Sequence, residues 1–403
     1  MYMVNESVTH YDYLLVGGGM AAAFAARGIR EIDKAGTIGL ITTDQDEPYT
    51  RPALSKKLWT DKEFTEDKVS LKTKEKTGAD LFLETVVTRI DKESKRVETA
   101  DGRQFSYNRL LLSTGGEPKR LDGPDDKERI FAFRSFEDYR LLRKLAGEKR
   151  HIIVVGGSYI GTELAANLAL NDTQITFIYP QERLSGNRFV DELAREYEDR
   201  YRQHGITLMN STRASSYTVS ENEVVVTLEN GETLTADGLV LGIGVEPRLE
   251  LAEEAGLKVE DGVIADEFLT TSDPDIFAAG DIVSYPDPIL GRNRIEHVDH
   301  ARKSGKTAGK NMAGAAAAYD YTPYFYSDVF DLSWQAIGTL DPELDYYIDE
   351  VDGGKVVYYL EDDKPVGIIT WNMDADLDDV REVLKNPPAS REALKGLIRE
   401  KDE

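Results

Sequence analysis

The sequence predicts an α/β protein made of two parallel-sheet units with one repeated βαβ pattern, followed by a small α+β segment. Three observations carry this. Tyr13-Leu14-Leu15-Val16 runs into Gly17-Gly18-Gly19 and then an alanine-rich stretch. Ile152-Ile153-Val154-Val155 runs in the same way into Gly156-Gly157-Ser158 and the apolar run Ile160–Leu170. Beyond Tyr321 the pattern turns aromatic and strand-like. A buried strand, a tight glycine turn and a close-packed helix form the arrangement in which helix N-terminal N–H groups hold a phosphate.

Composition sets the bounds. At 403 residues, with 40% apolar residues and 33 glycines, the chain has room for two or three domains with proper cores. A formal charge of −25 leaves no basic field to displace counterions from nucleic acid and disfavours anionic membrane surfaces. The chain has no cysteine, which excludes disulfide stapling, thiolate nucleophiles, cysteine metal sites and CxxC redox chemistry. The opening Met1–His10 is polar, without a signal-peptide core, and no apolar run approaches the roughly 18 residues of a membrane span. A cytoplasmic protein is expected.

The first unit starts with a strand at Tyr13–Val16 and a helix from Met20, joined by Gly17-x-Gly19-x-x-Ala22. The first small residue makes the turn, the second lets a pyrophosphate approach and the third allows helix–strand contact. The next strand, Thr37–Thr43, leads to Asp44, the nearest acid for ribose hydroxyls. Pro48–Trp59 reads as a proline-punctuated loop entering a short helix, and it brings Arg51 and Lys56 near a bound anion. Leu81–Leu83, Val86–Asp91 and Arg96–Thr99 read as a β-meander. The strand Leu110–Leu112 then ends in Thr114-Gly115-Gly116, a second close backbone approach.

The second fingerprint is Gly156-x-Ser158-x-x-Gly161, with serine in the middle place. Its second strand, Gln174–Tyr179, ends without the simple acid that favours an unphosphorylated ribose, and Arg183 stands where it could meet a 2′-phosphate. Another meander from Met209 closes at Asn230-Gly231, and strands ending at Gly244 and at Gly280-Asp281 follow. Asp281 suits hydrogen bonds from sugar-like hydroxyls or a helix cap. Glu296-His297-Val298-Asp299-His300 lacks further ligands at metal spacing, so a cofactor-facing helix start and no metal are expected. A small-residue helix is expected over Ala301–Ala318, with a solvated basic face of Arg302, Lys303, Lys306 and Lys310. The last segment predicts strands at Gln335–Gly338, Tyr346–Asp349, Lys355–Leu360 and Val366–Trp371. Helices are expected at Leu377–Lys385 and Arg391–Arg399, the second capped by Ser390 with a stripe of Leu394, Leu397 and Ile398.

Together these segments resemble the flavoprotein reductases with two dinucleotide-binding domains, and within them the ferredoxin/rubredoxin reductase and apoptosis-inducing-factor branch. The most specific stretches are Arg51–Trp59, Ile295–Ala301 and Phe325-Tyr326-Ser327-Asp328. The resemblance implies two Rossmann-like FAD/NAD(P)-binding domains of glutathione-reductase type with a small C-terminal α+β domain: 1–120 and 245–320 for FAD, 121–244 for NAD(P)H, 321–403 at the end. It assigns Gly17, Gly19, Ala22, Asp44, Arg51, Lys56, Val87, Thr114, Gly115, Arg134 and Asp281 to FAD. It places Gly156, Ser158, Gly161, Glu163, Gly244 and Glu296 around the nicotinamide nucleotide. His297 falls near the ring system, and Tyr326 stands where the branch often has a tryptophan. Lys56 and Glu163 pair beside the flavin, and with His297 they form the implied catalytic group.

The implied function is a FAD-dependent NAD(P)H oxidoreductase, with NADH slightly favoured over NADPH. Alignment and electrostatic tuning are the protein's contribution. Without cysteine, electrons leave the flavin directly, to a quinone or other small acceptor. The alternatives are single-electron transfer to a ferredoxin or rubredoxin, and a redox-sensing, NADH-responsive flavoprotein with slow turnover that forms a homodimer.

Overall fold

A computed structural model describes residues 8–401, so the polar opening at Met1–Ser7 lies outside the described residues. The chain divides into two compact units. One comprises residues up to Arg51 with Glu66–Glu117 and Glu246–Pro323; the other comprises Pro52–Thr65, Pro118–Val245 and Tyr324 onward.

The first unit is built on the parallel strands Asp80–Phe82, Ile38–Ile41, Thr9–Val16, Gln104–Leu112 and Ile276–Ala278. Leu14, Leu15, Leu40, Leu110 and Leu111 are wholly buried, as the near-continuous apolar runs of a covered parallel sheet require. The long strand Gln104–Leu112 has two partners on one edge. Its start pairs antiparallel with Arg96–Thr99, and its end pairs parallel with Ile276–Ala278. Asp80–Phe82 therefore does not join the expected meander. It adds to the parallel sheet beside Ile38–Ile41, and the meander is Val87–Asp91, Arg96–Thr99 and Gln104–Leu112.

The helix Met20–Ile32 packs closely on the helix Val298–Met312 along a line of small residues. A Cβ on Gly305 would collide with the Ala21 carbonyl, one on Gly309 with that of Ala25, and one on Gly28 with that of Lys306. Glycine is thus required on both sides of this seam. The second helix starts and ends earlier than the expected Ala301–Ala318. His297 caps its start, and Gly314, at φ 91°, follows its end. The Asn311 side chain holds the outgoing chain at Ala317. Its basic face is not simply solvated. Lys306 and Lys310 pair with Glu31 at 2.7 and 2.9 Å, Arg302 lies over Phe24 and Lys303 over Tyr321.

The second unit repeats the parallel motif in the order Thr207–Met209, Gln174–Ile178, His151–Val155, Gly238–Leu241, Ile130–Phe131. An antiparallel trio, Ala214–Val219, Val224–Leu228 and Thr233–Ala236, covers part of its core. Residues 325–371 form a five-stranded antiparallel sheet. Its Trp334 and Trp371 meet Phe189 edge-on, each at 5.3 Å, the geometry aromatic quadrupoles favour. Leu377–Lys385 is helical as expected. Arg391–Arg399 is not: only a short 3₁₀ turn, Arg391–Leu394, forms, and Ser390 makes no side-chain cap. Gly396 at φ 70° breaks the run, and its N–H is held by the Asp349 carboxylate at 2.6 Å. Leu394 and Ile398 are buried while Leu397 is exposed.

Candidate active site

In the first unit the fingerprint residues have separable tasks. Gly17, at φ 121°, makes the turn, and a Cβ there would strike the Ser113 carbonyl. Gly19 has an ordinary φ of −83° and caps the helix without a side-chain bond. The space around its missing Cβ is open, so glycine there serves approach rather than conformation. Ala22 is fully buried. The first turn carries no acid, so its N–H groups suit an anion. Gly18, which the sequence pattern did not single out, is required because a Cβ would collide with the Thr42 side chain.

The other residues expected here take definite places in this unit. Asp44 accepts hydrogen bonds from Tyr49 Oη at 2.8 Å and from the Asp46 N–H at 3.1 Å, and the Arg51 guanidinium lies over the Tyr49 ring. Val87 opens its strand, half-buried. Thr114 Oγ1 donates to the Arg248 carbonyl at 2.9 Å, and Gly115 accepts from the Arg248 N–H. Arg294, which sequence reasoning missed, links two expected residues. Its Nη1 donates to the Asp281 carbonyl at 3.0 Å and to Glu296 Oε1 at 2.5 Å, while Nε reaches Asp261. His297 caps its helix through Nδ1, which accepts from the Asp299 N–H. His300 is wholly buried, bonded to Tyr319 Oη at 2.9 Å and stacked on Tyr285. Burial pushes its imidazole down to about 4, against the opposing pull of Asp281.

In the second unit Gly156, at φ 102°, makes the turn, and a Cβ on Gly161 would collide with the Gly156 carbonyl. Ser158 is tolerated because its φ is −73°. Its hydroxyl caps the helix Tyr159–Ala169 by accepting from the Gly161 N–H. Gly244, at φ 105°, accepts from the Lys119 N–H. Arg134 precedes a capping box in which Asp138 receives the N–H groups of Arg134 and Ser135.

The same unit holds the strongest constellation. Pro52–Ser55 and Lys57–Thr60 are two short helices, broken at Lys56 with φ −122° and ψ −99°. Lys56 Nζ lies 3.2 Å from Glu163 Oε1 and 3.9 Å above the Tyr326 ring. Glu163 is 4% exposed, a burial tolerable only for a fully bonded carboxylate. Ser55 Oγ donates to Oε2 at 2.6 Å and Ser327 Oγ to Oε1 at 2.9 Å. One turn on, Asn167 Nδ2 donates to the Ser55 carbonyl at 2.6 Å. Just past the helix end, Asn171 Nδ2 donates to the Trp59 carbonyl at 3.1 Å. Sequence reasoning found the pair and missed this support. The signal was present as Glu163, Asn167 and Asn171 at four-residue spacing along and just past a largely apolar helix.

These fingerprints, strands and turns match known proteins. A model of the pyridine nucleotide-disulphide oxidoreductases fits residues 11–305. The chain belongs to this family. It is 37% identical over 361 residues to monodehydroascorbate reductase 2 of Arabidopsis thaliana, covering 81% of this chain and 82% of the relative. It is 31% identical over 376 residues to a protein of Drosophila melanogaster described as mitochondrial apoptosis-inducing factor 1, covering 83% of this chain and 51% of that one. Among solved structures, the covalent putidaredoxin reductase–putidaredoxin complex superposes with a TM-score of 0.86 at 27% identity, covering 93% of each chain. The protein is a FAD-dependent NAD(P)H oxidoreductase of α/β fold. The open approach at Gly19 and the acid-free first turn fit a flavin dinucleotide's diphosphate. Despite the family's name, the chain has no cysteine for a disulphide relay. Among the described residues, no helix is long and apolar enough to cross a membrane.

Proposed function

We propose that this enzyme takes reducing equivalents from NADH or NADPH and hands them directly to a small organic acceptor, a quinone or an ascorbate-type radical. The observation that carries this reading is the state of the basic helix face at Val298–Met312. Two of its four cations share the single Glu31 carboxylate and the other two lie over aromatic rings, so the face is already partly engaged within the chain. On a chain of net charge −25, an acidic iron–sulfur protein meets an overall repulsion that this one helix face, with Glu31 set among its cations, offsets only in part. The likeness to monodehydroascorbate reductases supports the same reading.

Bound flavin supplies the hydride-accepting and electron-releasing chemistry. The chain's residues hold and tune it. The N–H groups after Gly19 receive the diphosphate, and Asp281 receives hydroxyl groups. Lys56 is a fixed cation for negative charge that develops on reduction, worth more in a water-poor site than in solvent. Glu163, Ser55 and Ser327 keep Lys56 in place without a reorganisation step. Gly156, Ser158, Gly161 and Gly244 receive the nicotinamide nucleotide.

A second reading, single-electron transfer to an iron–sulfur protein, is favoured by the likeness to putidaredoxin reductase. One experiment separates the two. Anaerobic NADH or NADPH should bleach the bound flavin. Reoxidation by quinones and by monodehydroascorbate should then be fast and nearly independent of salt. Fast, salt-sensitive reoxidation by a ferredoxin alone would overturn the small-acceptor reading. Slow reoxidation by every acceptor would replace it with redox sensing.

A further inference from the structure

We infer that Gln181 is the residue that sets coenzyme selectivity, and that its neutral amide makes this chain accept NADH and NADPH comparably. The inference rests on the reading of the second fingerprint as the nicotinamide-nucleotide site. Gln181 follows the strand Gln174–Ile178, at the place where a dinucleotide fold reads the adenosine ribose. Its main chain is pinned there, since its carbonyl accepts from the Ser211 N–H at 2.9 Å. Its side-chain Oε1 is buried and makes no hydrogen bond among the described residues. That atom lies 3.8 Å from where a Cβ of Gly157 would stand, so the amide is aimed at the phosphate loop. A buried amide oxygen left without a partner is costly, and a ribose hydroxyl supplies the missing donor.

The chemistry of the surroundings decides the selectivity. A carboxylate at this position repels a 2′-phosphate, whereas an amide accepts from a hydroxyl and donates to a phosphate with the same group. The arginine that could reward the phosphate is engaged elsewhere. Arg183 Nη1 lies 3.3 Å from Glu198 Oε2 and its Nε 3.3 Å from Asp191 Oδ1. Glu198 is wholly buried and also receives Tyr179 Oη and the Leu184 N–H, each at 2.8 Å, and Arg202 at 3.1 Å. Pulling Arg183 away would break its ion pairs with both Glu198 and Asp191, leaving Arg202 as the one cation on the buried Glu198. Arg188 donates to the Gly157 carbonyl at 3.0 Å and lies over the Tyr159 ring. The site therefore has neither a carboxylate at the reading position to exclude NADPH nor an uncommitted Arg183 to demand it.

The test uses FAD-loaded protein and the adenosine ends alone, so that hydride transfer plays no part. Calorimetric titration with 5′-ADP and with 2′,5′-ADP should give dissociation constants within about tenfold of each other, and NADH and NADPH should reduce the flavin with kcat/KM values in a similar ratio. Gln181→Glu should weaken 2′,5′-ADP at least tenfold more than 5′-ADP. Gln181→Ala should weaken both by similar factors. Glu182→Gln, which removes the exposed neighbouring acid, should leave the ratio unchanged. A wild-type preference above 30-fold for either nucleotide, an unchanged ratio in Gln181→Glu, or a ratio moved by Glu182→Gln would overturn the assignment while leaving the oxidoreductase reading intact. Failure of both nucleotides to bind, with no bleaching by NADH or NADPH, would overturn the two together.

Discussion

Lys56 Nζ and Glu163 Oε1 stand 3.2 Å apart, and the lysine sits where one short helix stops and the next begins. The carboxylate has three partners on its two oxygens: Lys56, Ser55 and Ser327. Its charge is thus compensated without solvent, and the lysine cannot swing away without disturbing both serines' acceptor.

Replacing Lys56 by methionine should slow flavin reduction by NADH at least tenfold and lower the flavin midpoint potential, because the fixed cation is lost. It should also cost about 3 kcal/mol of stability, the lower end for breaking a buried pair, since Ser55 and Ser327 still bond to Glu163. Asn167→Leu should keep the charge pair but loosen the Ser55 carbonyl, giving a smaller loss of rate. Stopped-flow reduction, redox titration and urea unfolding would measure the three effects.

The glycine seam between Met20–Ile32 and Val298–Met312 should tolerate no side chain. Gly309→Ala places a methyl against the Ala25 carbonyl, an overpacking that costs about 1–3 kcal/mol. Gly314→Ala, outside the seam, meets no neighbour within 4 Å, and its penalty is only the strain of its φ of 91°. Urea midpoints of the two variants at pH 7 should rank in that order of damage.

His300 should give the protein an acid-sensitive window. Its folded imidazole titrates near 4 against an ordinary value of 6.5. Between those values the unfolded chain binds a proton that the folded chain refuses, so stability falls as pH drops through the window. The full loss, from above pH 6.5 to below pH 4, is about 3 kcal/mol at 1.36 kcal/mol per unit. His300→Gln should flatten that part of the stability–pH curve, even where it lowers stability overall.

With Asp281 in its proposed role of receiving flavin hydroxyls, Arg294 should govern how tightly flavin is held. Arg294→Lys keeps the charge but loses the fork that reaches Asp281, Glu296 and Asp261 together. FAD should dissociate about tenfold more readily, a loss of roughly 1.4 kcal/mol. Flavin fluorescence in the filtrate of diluted protein would report it.

What could be read in advance was set by short-range sterics. The strand–glycine–helix pattern placed both fingerprints, because turn, approach and close packing each constrain one residue locally. Ser158 looked like a weak match, yet its φ of −73° shows that the middle position never needed glycine's freedom. The misreadings came from partners distant in sequence. Asp80–Phe82 looked like meander but had a parallel neighbour available in Ile38–Ile41. Arg391–Arg399 had an apolar stripe, but Gly396 was positioned to be captured by Asp349. The cations after His300 are exposed as expected at Arg302 and Lys303, and only the pairing of Lys306 and Lys310 with Glu31, on a helix far back in the chain, was not legible. Ser55, Ser327 and Asn167 were invisible for the same reason, since each acquires its task only when three separate segments meet at Glu163.

The seam of Ala21 and Ala25 against Gly305 and Gly309 also bears on synthesis. The first helix emerges from the ribosome early, but the surface that covers its small-residue face is not translated until three-quarters of the chain has been made. Until then that alanine stripe has no mate, and the strand Ile276–Ala278 that completes the adjoining sheet is still to come. Maturation of this unit is therefore a late event, timed by the arrival of Val298–Met312. Early termination upstream of that helix should yield a product that chaperones retain rather than a smaller working flavoprotein.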